Sequence, residues 1–273
     1  MARQTGFFGF LTRPFRRGPV VPVVRLHGVI AADQRSGRIN IQTVAPLLRR
    51  AFAMPGNTVA IIVNSPGGSP VQSRLVSKRI RDLAREHKKY VIVFVEDAAA
   101  SGGYFIATAG DEIIADPSSI VGSIGVIFAG FGFTGTMDKL GVERRVHTAG
   151  KNKSTLDPFL PEKPEDVERI KQMELDIHQV FIDWVKTRRG SKLKAPDDQL
   201  FTGEFWSGVR GLDLGLVDSI GDLHETLHTR FGEDVRLKVI EARRALFRLP
   251  SFGFAADLAA AVEDRAHWTR LGL

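Results

Sequence analysis

Val59-Ala60-Ile61-Ile62-Val63-Asn64-Ser65-Pro66-Gly67-Gly68-Ser69 reads as a buried strand that stops in a glycine pair. A continuous apolar run of this kind suits a strand covered on both faces, and Pro-Gly-Gly then turns the chain. Working outward, Val71, Leu75, Val76, Ile80 and Leu83 recur at helical spacing, opposite a face of Arg74, Lys78, Arg79, Arg81 and Arg85. The run 90–95 is the next strand, and it leads into Ala99-Ala100-Ser101-Gly102-Gly103-Tyr104 and a short apolar helix over 104–109. Upstream, 20–26 reads as a strand and 40–53 as a helix. Downstream, 112–115 and 141–147 read as strands. The stretch 163–189 reads as a long amphipathic helix with Val167, Ile170, Met173, Ile177, Phe181 and Trp184 on one stripe. The spacing predicts an α/β chain with a largely parallel sheet flanked by helices. Its strand-end turns fall on one edge, where such folds place their sites.

Ser101 is the serine best placed to be a nucleophile. A buried strand ending in small residues and Ser-Gly-Gly delivers a hydroxyl into a cleft with little to obstruct a carbonyl. The glycine after it lets backbone N–H groups crowd the same spot, as oxyanion stabilisation requires. Two strand-end glycine turns, one carrying a serine, suggest acyl transfer.

The chain has 273 residues, 43% of them hydrophobic and 25% charged, which fits an ordinary globular protein with a substantial core. It has no cysteine, so disulfides, thiolate metal sites and a cysteine nucleophile are excluded. The formal charge of +7 is unevenly spread. Residues 1–25 hold five arginines and no acid, and residues 236–273 hold seven basic residues against four acids, leaving 26–235 at −1. A neutral body without a nucleic-acid motif argues against nucleic acid as a partner. No apolar run approaches the ~18 residues of a membrane span. Phe7, Phe8, Phe10 and Phe15 among Arg13, Arg16 and Arg17 suit peripheral contact with an anionic membrane surface. The organisation expected is a basic tail over 1–22, a domain over 23–235 and a basic extension over 236–273.

A serine hydroxyl needs a base. The seven histidines are His27, His87, His147, His178, His224, His228 and His267, and none lies in a glycine-rich turn. A lysine can serve only when neutral, which requires a pKa depressed by roughly 2–3 units through burial. Lys153, in the loop Ala149-Gly150-Lys151-Asn152-Lys153-Ser154-Thr155-Leu156-Asp157-Pro158-Phe159, is the candidate, with Lys151 its neighbour. Spacing alone leaves both the histidine and the lysine option open. Ala99 stands where the G-x-S-x-G elbow needs glycine. Arg145 and Asn152 break the phosphate-loop pattern around Gly150-Lys151, and Gly122-x-x-Gly125 lacks the rest of a dinucleotide motif. No carboxylate cluster suggests a metal, and no cofactor is expected.

Five ordered blocks carry a resemblance. They are Val63-Asn64-Ser65-Pro66-Gly67-Gly68; Ala100-Ser101-Gly102-Gly103-Tyr104; Val121-Gly122-Ser123-Ile124-Gly125-Val126; Gly150-Lys151-Asn152-Lys153-Ser154 with Asp157-Pro158-Phe159; and Gly215-Leu216-Val217-Asp218. The stretch from about Val23 to Leu227 resembles the signal peptide peptidase A family, in its single-repeat form. The resemblance implies a Clp/crotonase-like α/β fold and a serine endopeptidase with a Ser–Lys dyad, acting on apolar peptides such as signal peptides or membrane-protein fragments. By position it makes Ser101 the nucleophile and Lys153 the general base. It puts the oxyanion hole at the N–H groups of Gly68 and Gly102, and gives Ser123 the role of orienting the lysine. It also implies a ring-shaped homo-oligomer in which serine and lysine can come from adjacent subunits. Family members usually carry an N-terminal anchor; this chain shows none, which leads to an expected cytoplasmic location, peripheral at the inner membrane. Two other readings use the same fold: a crotonase-like acyl-CoA enzyme, with Glu96 and Asp97 as the nearest carboxylates, and a non-catalytic scaffold.

Overall fold

A computed structural model describes residues 18–33, 35, 37–241, 262 and 264–273. The strands are β1 (Val20–His27), β2 (Thr58–Ser65), β3 (Tyr90–Ala100), β4 (Glu112–Ala115), β5 (Ile120–Gly122), β6 (Phe205–Ser207), β7 (Ser219–Ile220) and β8 (Arg236–Val239). The helices are α1 (Ile41–Phe52), α2 (Pro70–Glu86), α3 (Gly102–Ala107), α4 (Thr134–Leu140), α5 (Pro164–Arg189), α6 (Asp197–Leu200), α7 (Gly208–Asp213) and α8 (Leu223–Phe231). Residues 264–269 form a further helical segment.

The strands make one sheet in the order β6-β5-β3-β2-β1-β8, with β4 on β3 and β7 on β4. Every pairing is parallel except β5 with β6. Because both faces are covered, alternate residues serve two cores. Val24, Leu26, Ile61, Val63, Val91, Val93 and Val95 pack under α1, α2, α3 and the end of α5. Val21, Val23, Ala60, Ile62, Ile92 and Phe94 pack under α8 through Leu227. That double burial is why the strands are continuously apolar.

β3 is longer than its apolar run predicts and, on the edge away from β2, serves two partners. Ile92–Val95 pair with β4, and Ala98–Ala100 pair with β5. The split carries the small-residue end of β3 past β4, so Ser101 emerges beside Gly122 at the end of β5. The sheet takes in Val20–Pro22 and Arg236–Val239, on either side of the 23–235 span read from the sequence. The Phe- and Arg-bearing stretch of residues 1–17 lies outside the described residues, as does 242–261 of the expected basic extension.

Residues 141–147 are not a strand. The stretch is irregular and largely exposed, its Val142 N–H bonding back to Met137 O, and without a partner edge no ladder forms. It belongs to an arm, roughly 127–163, that leaves the body. The helix predicted over 163–189 is present, but only its C-terminal half sends apolar side chains into the core. Phe181 and Val185 pack into the core, while Met173 and Leu175 stand exposed on the half that follows the arm.

The block Gly215-Leu216-Val217-Asp218 is a brace. The Arg189 guanidinium, 3% exposed, donates to Gly215 O and to Asp218 Oδ2 at 2.7 Å, and Lys192 lies 2.9 Å from Asp218 Oδ1. The Ile113 N–H also donates to Asp218 (2.8 Å), and the Tyr104 hydroxyl donates to Leu216 O (2.7 Å). Burial alone would raise the Asp218 carboxyl; hydrogen bonds from Arg189 and Lys192 outweigh it and hold the group below the usual carboxylate range. Asp218→Ala leaves Arg189 buried and unpaired, so unfolding in urea should show a loss of about 3 kcal/mol near neutrality. A depressed folded-state pKa gives stability that is present above the unfolded value of about 3.9 and lost as pH falls through the folded one. The difference between wild type and variant should therefore be constant above about pH 5 and shrink as pH falls below about 4. A pH-independent difference would rule out the ionic origin.

Candidate active site

Ser101 sits between the last residue of β3 and the first of α3, at φ 51°, ψ −120°. A positive φ on a residue with a Cβ costs about 1–3 kcal/mol and persists only when neighbours hold it. Here the Ser101 N–H donates to Gly122 O (2.8 Å) and its carbonyl accepts from the Phe105 N–H (2.9 Å). The kink turns the side chain out of the sheet edge, where it lines two cavities at once.

The second glycine turn lies against it. Ile30 bridges this turn: its N–H donates to Gly67 O (2.8 Å) and its carbonyl accepts from the Ser69 N–H (2.7 Å). Gly67 (φ +107°) and Gly68 (φ +134°) both require the left-handed region. A Cβ on Gly67 would stand 2.8 Å from that of Ser101, and one on Gly68 would run into Ile30 O. Among the described residues the N–H groups of Gly68 and Gly102 donate to no internal acceptor. Gly102 opens α3, so its amide has no partner one turn back.

Ser123 is buried, at φ 52°, its N–H on Glu204 O (2.6 Å) and its carbonyl accepting from Gly125 (3.0 Å). The smaller cavity at Ser101, about 260 Å³, is lined by Gly102, Val71, Phe105, Ile177, Val180 and Phe181 and is almost wholly apolar. Its walls are fixed by the packing of α5 on α3. Phe105 stacks on Trp184 (5.5 Å) and meets Phe181 (5.0 Å), and the Trp184 indole N–H donates to Phe105 O (3.2 Å). The larger cavity, about 590 Å³, takes in Gly68, Ser123, Ile127 and three basic side chains, Arg38, His267 and Arg270.

The structure thus brings Ser101, Gly68, Gly102 and Ser123 together around one point. Lys153 is elsewhere: it is exposed on the arm and lines neither cavity. Its loop is braced by Asp157, whose carboxylate accepts from the Phe159 N–H (3.0 Å) and pairs with Arg144 (3.2 Å). The Phe159 backbone hydrogen bond and the Arg144 guanidinium hold the Asp157 carboxyl below its ordinary value. Of the histidines, His267 alone lines a cavity with Ser101, without a hydrogen bond to it, and His178 bonds Ile124 O at 2.9 Å. Glu96 and Asp97 line a different cavity, Glu96 paired with Arg25 (2.6 Å) and Asp97 with Asn64 (2.5 Å).

That α5 walls the site, and that His267 and Arg270 form a basic wall, escape a sequence reading: the apolar stripe of α5 is legible but not what it faces, and the terminal segment has no motif. No group of three or more potential metal ligands occurs among the described residues, and no described helix is long and apolar enough to cross a membrane.

The chain is similar to known proteins in sequence and in fold. The model of peptidase family S49 matches residues 83–237, more than half of the chain. A Brucella abortus protein named Na(+)/H(+) antiporter NhaA is 53% identical over 272 residues, covering 93% of this chain and 37% of that protein. Protease 4 of Salmonella typhi is 30% identical over 221 residues, covering 80% of this chain and 35% of the relative. The chain therefore spans little more than a third of the length of either relative. Among solved structures, the 1510-N membrane-bound stomatin-specific protease, in a serine-to-alanine form, superposes with a TM-score of 0.52 at 16% identity. The superposition covers 83% of this chain and 99% of that one, a likeness of fold. With Ser101 at the meeting of two glycine turns and a family model running through the site, the chain belongs to peptidase family S49.

Proposed function

We propose that the chain is a serine endopeptidase that cuts apolar peptides, signal peptides or membrane-protein fragments among them. The observation that carries it is a strained serine at the junction of two cavities, beside two backbone N–H groups with no internal acceptor. Ser101 Oγ attacks the scissile carbonyl and gives its proton to the neutral amine of Lys153. The Gly68 and Gly102 N–H groups hold the oxyanion as the tetrahedral intermediate forms. Lys153 returns the proton to the leaving amine, and water then hydrolyses the acyl-serine by the same route. Ser123 orients the lysine. No cofactor enters these steps.

The arm supports a homo-oligomer, a ring in this reading, with Lys153 donated by a neighbouring copy. Ile127, Phe128, Phe131, Leu140 and Val142 are exposed on it, apolar surface of the kind that association covers. Burying that surface against a second copy would also bury Lys153. We assign the cytoplasmic location and the peripheral membrane contact to the same proposal. Glu96 and Asp97, which line neither of the Ser101 cavities, give the acyl-CoA reading no support.

A fluorophosphonate probe tests the proposal. It should label Ser101 in the assembled protein. Ser101→Ala and Lys153→Ala chains, each inactive alone, should regain peptide hydrolysis when mixed. Labelling elsewhere, or no labelling of an assembled sample, would refute the nucleophile; failure of the mixture to recover would refute donation between copies.

A further inference from the structure

The two cavities that meet at Ser101 differ in polarity. The smaller is almost wholly apolar, the exposed Arg74 its one charged lining residue, while the larger is lined by Arg38, His267 and Arg270 and, among the described residues, by no carboxylate. Arg38 is buried and already answered, 2.7 Å from Asp264 and 3.9 Å from Asp33. Arg270 and His267 have no acidic partner among the described residues. Both come from the terminal segment, which is fixed to the body at two points: the Arg38–Asp264 ion pair and the stacking of Trp268 on His27 (6.0 Å). The basic wall is therefore held in place beside the nucleophile.

A guanidinium with open donors, facing a cavity without acids, favours a carboxylate, which it can bind through two parallel hydrogen bonds. A peptide lying across Ser101 with an apolar side chain in the smaller cavity must send its other arm into the larger one. We propose that Arg270, with His267 beside it, forms a carboxylate-binding subsite for the peptide. The carboxylate belongs either to an acidic side chain or to the free end of the peptide. This rests on the peptidase reading and adds a preference that the apolar cavity alone does not give: an apolar residue on one side of the scissile bond and a negative charge on the other.

The test is binding rather than turnover. Fluorescence anisotropy of one labelled apolar peptide on the Ser101→Ala chain would compare a neutral amidated form, a form with a free terminal carboxylate, and an amidated form with one aspartate beyond the apolar residue. One charged form should bind about five- to tenfold more tightly than the neutral one, and which of them does so identifies the source. The advantage should shrink in high salt, vanish in Ser101→Ala/Arg270→Gln and partly return with Arg270→Lys. Equal binding of charged and neutral forms, no binding of any form, or an advantage that survives Arg270→Gln would each overturn the subsite. Those results leave the labelling of Ser101 as a separate test of the peptidase reading. Charge-dependent binding by a chain that hydrolyses nothing would keep the subsite and remove the peptidase.

Discussion

Replacing Ser101 by alanine is expected to lower kcat/KM for a fluorogenic apolar peptide by about 10⁴-fold or more, since loss of a nucleophile removes the covalent route entirely. The rate should fall to that of the uncatalysed background plus whatever the two glycine amides contribute. Lys153→Ala should cost about 10²–10⁴-fold, the ordinary worth of a positioned general base. Both should be read from about pH 6 to about pH 10, with oligomeric state checked by light scattering, because the loss of Lys153 counts only in an assembled sample. In the proposed dyad the two residues act as one unit, so the double variant should be no worse than Ser101→Ala. If Lys153→Ala keeps most of its rate while His267→Ala loses it, the base is the histidine that lines the larger cavity. If Ser101→Ala keeps its rate, the peptidase proposal ends there.

Gly68→Ala should cost about 10²–10³-fold in kcat, the loss seen when one oxyanion donor is misplaced. The reason is steric and local. A Cβ at this φ of +134° would run into the Ile30 carbonyl, which is held in place by the Ser69 N–H at 2.7 Å. The turn must move, and the Gly68 amide moves with it. Strain of about 1–3 kcal/mol should appear as a lower Tm, far less than the unfolding of the domain. Circular dichroism and a thermal melt alongside kinetics separate the two effects: a folded protein with unchanged kcat would remove Gly68 from the oxyanion hole. Gly67→Ala acts by a different contact, pressing on the Ser101 side chain itself, and should lose activity without the same demand on Ile30.

The alternation of apolar strands with amphipathic helices was legible without coordinates, because strands buried on both faces must be apolar throughout. Val59-Ala60-Ile61-Ile62-Val63 and the run 90–95 declare a parallel sheet by composition alone. The two glycine turns and the serine between them were equally plain, since only glycine fits where Gly67 and Gly68 stand.

Other features depended on distance in space rather than in sequence. The residues 141–147 read as a strand yet have no neighbouring edge to pair with, so reading and structure part there. The helix of residues 163–189 reads as one amphipathic unit. Only its second half meets α3, because Phe105 offers a ring for Trp184 and Phe181 to pack on. Asp218 sits in a motif block that suggests chemistry, and its partners show a structural brace formed across 29 residues of chain with Arg189.

The sequence by itself determined the sheet and the family and singled out Ser101 as the candidate nucleophile, because each is written in local periodicity and in residue types that few backbone conformations tolerate. The tertiary structure alone decided that the serine stands between an apolar and a basic cavity and that Lys153 lies apart on an exposed arm. Those facts depend on which surfaces the folded chain brings together, and neighbours in space leave no periodicity in the sequence.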